Sequence, residues 1–128
     1  GANFVKTMLR LSETHSQLRV VADQVGCPTP AAGIADALLQ MEAAMQAGHA
    51  GGTYHYAGQP AVSWADFARA IFKASGRDVA VEDIPTSDYP TPAQRPLNSR
   101  LDCAKIETEF GITQPDWREA LAEVVRAL

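Results

Sequence analysis

Two stretches of this 128-residue chain carry residue types that could do chemistry. The first is Arg95-Pro96-Leu97-Asn98-Ser99-Arg100, which sets two guanidinium groups beside an amide and a hydroxyl. Guanidinium groups grip phosphate oxygens in a fixed fork, so this grouping suits an anionic phosphate ligand. The competing reading is a solvated basic loop. The second is Val20-Val21-Ala22-Asp23-Gln24-Val25-Gly26-Cys27-Pro28-Thr29-Pro30, which reads as a strand, a tight turn and the start of a helix. Polar groups at such strand ends often converge on a ligand pocket, which would put Gln24, Cys27 and Thr29 at its rim. The plain alternative is a strand–helix connection with good turn chemistry, in which Thr29 caps the helix and Pro30 takes its first position.

No complete catalytic set accompanies them. No Gly-x-Gly-x-x-Gly or phosphate-loop pattern is present, and neither is His-Glu-x-x-His or Gly-x-Ser-x-Gly. Cys27 and Cys103 stand too far apart in sequence to read as a zinc site or a disulfide framework, and are expected to be free thiols of a reducing cytoplasm.

The elements that must position these residues follow from periodicity. Phe4, Met8 and Leu11, widened by Val5 and Leu9, predict a core-facing helix over 4–14 with Asn3 as its N-cap. A strand over 18–22 leads into the turn, and a helix over 31–47 repeats Ile34, Leu38, Met41 and Met45 as a buried stripe. Thr53–Ala57 is predicted as a strand closed by Gly58. Ser63 and Asp66 form a capping-box pattern before a helix whose inner face carries Trp64, Phe67, Ile71 and Ala74, ended by Gly76. A strand over 79–84 follows. Residues 85–100 are irregular, and Pro85, Pro90, Pro92 and Pro96 stiffen them. Asp102 caps a short helix stopped by Gly111. Thr113-Gln114-Pro115-Asp116 opens a last helix with Trp117, Leu121, Val124 and Leu128 on its buried stripe. The sum is an α/β chain of short strands and about five helices.

Composition fits a single globular domain, able to bury roughly 65–70% of its unfolded surface. The net charge of −4 argues against a nucleic-acid partner, which selects a basic face. No apolar run approaches the roughly 18 residues of a membrane span, so no membrane partner is expected. The chain opens without an initiator Met, on Gly1-Ala2-Asn3, as a piece of a longer protein would.

Several segments resemble one family, in order and with matching spacing. They are Asn3-Phe4-Val5-Lys6-Thr7-Met8-Leu9-Arg10-Leu11, Val20–Thr29, Gly52–Gly58, Ser63–Ala68 and Tyr89–Asp102. Together they are similar to the C-terminal part of the dTDP-4-dehydrorhamnose reductases, which are extended short-chain dehydrogenase/reductases with a Rossmann-like parent fold. Family members are about twice as long. They keep a glycine-rich cofactor loop and a Tyr-x-x-x-Lys pair in an N-terminal lobe. Neither feature occurs here, since no tyrosine has a lysine four positions on.

The resemblance thus implies that residues 1–128 are the sugar-nucleotide-binding lobe and that the Rossmann lobe lies outside the chain. The parent would reduce dTDP-4-dehydro-L-rhamnose to dTDP-L-rhamnose with NADPH, in the cytoplasm. This lobe alone would be inactive and hold no catalytic residue. The implied substrate-binding residues are Asn3, Gln24, Pro28, Thr29, Arg95, Asn98 and Ser99. Some members of the family form a homodimer that holds Mg2+ through glutamates at its contact; Glu13 and Glu119 or Glu123 are candidates here, but exposed helix carboxylates are common and no metal ligand is assigned. Two other readings compete: a non-catalytic NADP-binding regulatory subunit, resembling that of methionine adenosyltransferase, and a free-standing interaction module.

Overall fold

The computed structural model describes every residue from Gly1 to Leu128. In chain order it contains α1 (Phe4–Leu11), β1 (Gln17–Val21), β2 (Val25–Gly26), α2 (Ala31–Gln46), β3 (Val62–Ser63), α3 (Trp64–Ser75), β4 (Ala80–Ile84), a 3-10 turn at Thr86–Asp88, α4 (Ala104–Phe110) and α5 (Trp117–Arg126).

β1 and β4 pair in parallel, with Gln17 opposite Ala80 and Val21 opposite Ile84. Val20, Val21 and Ile84 are buried, while Arg19, Glu82 and Asp83 on the same strands stay exposed. The amphipathic helix α3 is the central element. Its apolar side (Ala65, Phe67, Ala68, Ile71 and Phe72) packs between α1 and α5 and over the β1–β4 pair. The Ser63 Oγ accepts the Asp66 N–H at 3.0 Å, and Gly76 ends the helix in the left-handed region at φ 65°. A second, smaller core joins Ala37 of α2, Ala57, Cys103, Ile106 of α4 and Ile112.

The structure departs from the sequence pattern at definite places. Thr53–Ala57 is not a strand. It runs without a sheet partner, and Tyr54 and Tyr56 pack on the second core while His55 is exposed. Its residues are β-formers, but a strand needs a neighbour and none is at hand. The α2 stripe is not buried either. Ala37 is its one buried residue, and Ile34, Leu38 and Met45 are 42%, 60% and 50% exposed. Trp64 and Ala74 are exposed on α3, and Phe72 is buried beside Ile71 instead.

Other differences concern helix ends. Thr29 does not cap α2: Pro30 holds the N-cap position, and that helix has no side-chain cap. α5 is capped by Asp116, whose Oδ1 accepts the Arg118 N–H at 2.9 Å, so Thr113 plays no part. Val124 and Leu128 on its far turns are exposed. The Asp102 carboxylate does take an α4 amide, from Ala104 at 2.9 Å.

Candidate functional site

A cleft of about 530 Å³ opens beside α1, between the turn after β1 and the starts of α3 and α5. One wall is the segment Gly26–Ala31; the opposite wall is Val62–Trp64 with Phe67, and α5 contributes Trp117, Ala120, Leu121 and Val124. Asn3, Phe4 and Val5 from α1 and Ser99 from the proline-rich loop complete it.

Each wall is fixed by local chemistry. β2 and β3 pair antiparallel, with Val25 opposite Ser63 and Gly26 opposite Val62, so the turn is tied to the start of α3. The floor is aromatic. The Phe4 ring lies 4.8 Å from that of Trp64 and 5.6 Å from that of Phe67, and Phe67 meets Trp117 edge-on at 5.3 Å. The Trp117 indole N–H donates to the Pro60 carbonyl at 2.6 Å, which fixes the ring's orientation.

Gly58 sits beneath the Pro28–Thr29 wall. A Cβ there would stand 2.1 Å from the Pro28 carbonyl oxygen, so only glycine allows this approach. The Gly58 N–H donates to Thr29 Oγ1 at 3.1 Å, and that hydroxyl donates in turn to the Cys27 carbonyl at 2.9 Å.

No residue of the cleft wall carries a formal charge; Cys27 is its one titratable group. The cleft can bind and orient a ligand but offers no acid–base pair. Its electrostatics come from the backbone instead. The first residues of four helices line it: Phe4 of α1, Ala31 of α2, Trp64 of α3 and Trp117 of α5. Side chains of Asn3, Ser63 and Asp116 each take a first-turn amide of α1, α3 and α5, but nothing of the kind serves α2. Uncapped first-turn amides favour an anionic ligand.

The structure gathers four of the seven sequence-predicted residues around this cleft: Asn3, Pro28, Thr29 and Ser99. Asn3 also has the capping role, its Oδ1 accepting the Lys6 N–H at 2.9 Å. Three others lie outside the wall. Gln24 donates through Nε2 to Thr86 Oγ1 at 3.1 Å. Asn98 accepts from the Arg100 N–H and Nε–H at 3.1 and 2.9 Å. Arg95 is exposed and enters no ion pair, which leaves its guanidinium free.

Sequence reasoning missed Trp64 and the α5 residues as parts of this cleft, and Gly58 as the support behind its Pro28–Thr29 wall. An isolated glycine after an aromatic run signals close backbone approach, and that signal was available for Gly58. Nothing local signals the arrival of α5.

Cys27 and Cys103 are both free thiols, and burial pushes the Cys103 thiol above its ordinary value. No group of three or more His, Cys, Asp or Glu side chains converges, so Glu13, Glu119 and Glu123 make no metal site within the chain. No helix is long and apolar enough to cross a membrane.

An α/β lobe with an apolar, aromatic cleft rimmed by hydroxyls, amides and helix starts defines a small-molecule binding module. The particular family follows from comparison: residues 1–128 match the model of the RmlD substrate binding domain, and the chain belongs to that family. A dTDP-4-dehydrorhamnose reductase of Sinorhizobium fredii is 45% identical over 135 residues, covering 100% of this chain and 46% of the relative. The spore coat polysaccharide biosynthesis protein SpsK of Bacillus subtilis is 40% identical over 126 residues, covering 98% of this chain and 42% of its own length. Among solved structures, a dTDP-4-dehydrorhamnose reductase of Clostridium acetobutylicum superposes with a TM-score of 0.92 at 38% identity, covering 99% of this chain and 44% of that one. Another from Bacillus anthracis, solved in complex with NADP, superposes with a TM-score of 0.81 at 34% identity, covering 96% and 42%. The chain therefore spans less than half the length of these relatives.

Proposed function

We propose that residues 1–128 form the sugar-nucleotide-binding lobe of a dTDP-4-dehydrorhamnose reductase. The parent enzyme reduces the 4-keto group of dTDP-4-dehydro-L-rhamnose with NADPH, giving dTDP-L-rhamnose. The observation that carries this reading is the uncharged, aromatic-floored cleft bordered by four helix starts. Its neighbour is a loop bearing a free arginine. Such a cleft accepts a base and a sugar against apolar walls and a diphosphate against backbone amides. Asn3, Pro28, Thr29 and Ser99 line the ligand. Arg95, on the same loop as Ser99, meets the diphosphate, and Gln24 and Asn98 hold the segments that carry these contacts.

NADPH supplies the hydride when bound, but this chain's residues do not fit it. There is no glycine-rich loop, and no tyrosine is followed by a lysine at the fourth position. Hydride and proton donors thus belong to the second lobe, and this lobe contributes binding and orientation. Holding two reactants in register is itself a large part of catalysis.

Two features support a second lobe docking here. The exposed α2 stripe of Ile34, Leu38 and Met45 is a continuous apolar face. Beside it, the β-forming run Thr53–Ala57 has no sheet partner, as a strand awaiting a sheet edge would. The homodimer and its Mg2+ contact complete the family-based reading; within one chain no carboxylates converge to hold the ion.

The test is calorimetric titration of the full-length protein with dTDP-L-rhamnose, wild type against Arg95→Ala. Loss of a charged hydrogen bond should weaken binding by about 1.5–3 kcal/mol and leave NADPH affinity unchanged. Unaltered sugar-nucleotide binding would remove Arg95 from the site.

A further inference from the structure

The proline-rich loop is hydrogen-bonded to the rest of the chain at two feet, both on Asp23, Gln24 and Val25, and an exposed ion pair between Arg19 and Asp88 at 3.6 Å lies just beyond the first. At the first foot, the Asp23 carboxylate accepts the Thr86 N–H at 2.9 and 3.0 Å and the Thr86 hydroxyl at 2.6 Å. Gln24 Nε2 donates to the same hydroxyl oxygen at 3.1 Å. At the second foot, the Val25 N–H donates to the Leu97 carbonyl at 2.8 Å, and the Ser99 N–H donates to the Val25 carbonyl at 2.9 Å. Between the feet, residues 87–96 are all exposed. The next residues along from this anchor, Gly26–Pro30, are a wall of the cleft.

We propose that Asp23 and Thr86 form a latch that positions the Arg95-bearing loop over the cleft, and that both are positioning residues for sugar-nucleotide binding. This deepens the reading of the site as a sugar-nucleotide cleft and rests on it. The second foot is made of backbone bonds that any sequence could form. The backbone holds the chain up to Ile84, whose carbonyl accepts the Ala22 N–H at 2.9 Å, and beyond it the first foot is built from side chains, which set the direction in which the loop leaves the sheet. Thr86 is saturated there: its N–H and hydroxyl hydrogen are given to Asp23, and its oxygen accepts from Gln24. Pro90 and Pro92 stiffen the run from Thr86 to Arg95 and Pro96 follows it directly, so fixing the entry at Thr86 restricts the directions in which Arg95 projects. A stiff arm with one foot released pivots about the other.

The experiment is steady-state kinetics of the full-length enzyme as a double-mutant cycle between Thr86→Val and Arg95→Ala, with Thr86→Ser and Asp23→Asn alongside. Thr86→Val keeps the shape and the backbone N–H and removes the hydroxyl. It should raise KM for the sugar nucleotide about tenfold, with KM for NADPH unchanged, as loss of a hydrogen bond to a charged group would. In the Arg95→Ala background the same change should raise KM less than twofold, because the arm then has nothing to position. Thr86→Ser should behave as wild type. Asp23→Asn, which keeps one acceptor oxygen, should fall between and serves if Thr86→Val does not fold. An unchanged KM in Thr86→Val, or an equal rise in both backgrounds, would overturn the latch. A wild-type enzyme without turnover would overturn the reductase reading instead. The same cycle read by dTDP affinity would then decide the latch alone.

Discussion

Replacing Gly58 by alanine puts the packing beneath the cleft to a quantitative test. The added Cβ would lie 2.1 Å from the Pro28 carbonyl oxygen and 3.4 Å from that of Pro115, both backbone atoms. Neither can rotate aside as a side-chain tip would. Separating the Pro28 and Gly58 segments costs about 1–3 kcal/mol as overpacking. It also stretches the Gly58 N–H bond to Thr29 Oγ1, worth about 0.5–1.5 kcal/mol. The expected loss is about 1.5–4.5 kcal/mol, or roughly 5–20 °C in melting temperature for a domain of this size. Gly76→Ala is the control. Gly76 has φ 65° and nothing within 4 Å of an added Cβ, so only the left-handed backbone is penalised, by about 1–2 kcal/mol. Thermal and urea melts followed by circular dichroism should rank Gly58→Ala as the worse of the two. Because Pro28 and Thr29 shift with the strain, the variant should also bind sugar nucleotide more weakly than its lost stability alone explains. A Gly58→Ala protein melting within about 2 °C of wild type would refute the close approach and, with it, this description of the cleft wall.

Two further outcomes follow from charge and exposure. The Arg118 guanidinium and backbone amide push the Asp116 carboxyl from 3.8 down to about 2. A carboxyl lowered by folding stabilises the protein above its ordinary value, and that contribution is lost as pH falls toward the folded value. Melting temperatures of wild type and Asp116→Asn should therefore differ at pH 6 and converge between pH 3.8 and about 2. Leu38→Gln on the exposed face of α2 should leave the melting of this 128-residue chain unchanged while reducing its self-association in sedimentation. In the full-length protein the same change should destabilise by about 1–3 kcal/mol, since a polar group then meets the docked lobe.

Local signals located most of the elements. The caps at Asn3 and Ser63, the glycine stops at Gly76 and Gly111, and the periodicity of α1 and α3 were all legible, because each is settled within one helical turn. What failed depended on partners distant in sequence. Thr53–Ala57 has strand residues and no strand beside it, and α2 has an apolar stripe with no neighbour to bury it. In both cases the apolar or β-forming pattern is local, and the partner that would make it a strand or bury it is absent from residues 1–128. Thr29 was misplaced as a helix cap because its hydroxyl is claimed by Gly58, twenty-nine residues away. The resemblance named Asn3, Gln24, Pro28, Thr29 and Ser99 alike; the structure sets Asn3, Pro28, Thr29 and Ser99 on the cleft wall and Gln24 off it, because the Gln24 amide bonds Thr86, sixty-two residues on. Trp64 was assigned inward because a helix start beside a cleft has the same periodicity as one beside a core.

The most direct test of the central claim is NADPH oxidation by the full-length protein in the presence of dTDP-4-dehydro-L-rhamnose, run beside the same assay on residues 1–128. The account predicts turnover by the full-length protein and none by the 128-residue chain, which lacks both hydride and proton donors. Failure of the full-length protein to oxidise NADPH with this substrate while still binding NADP would contradict it, and would leave a nucleotide-binding subunit without reductase activity.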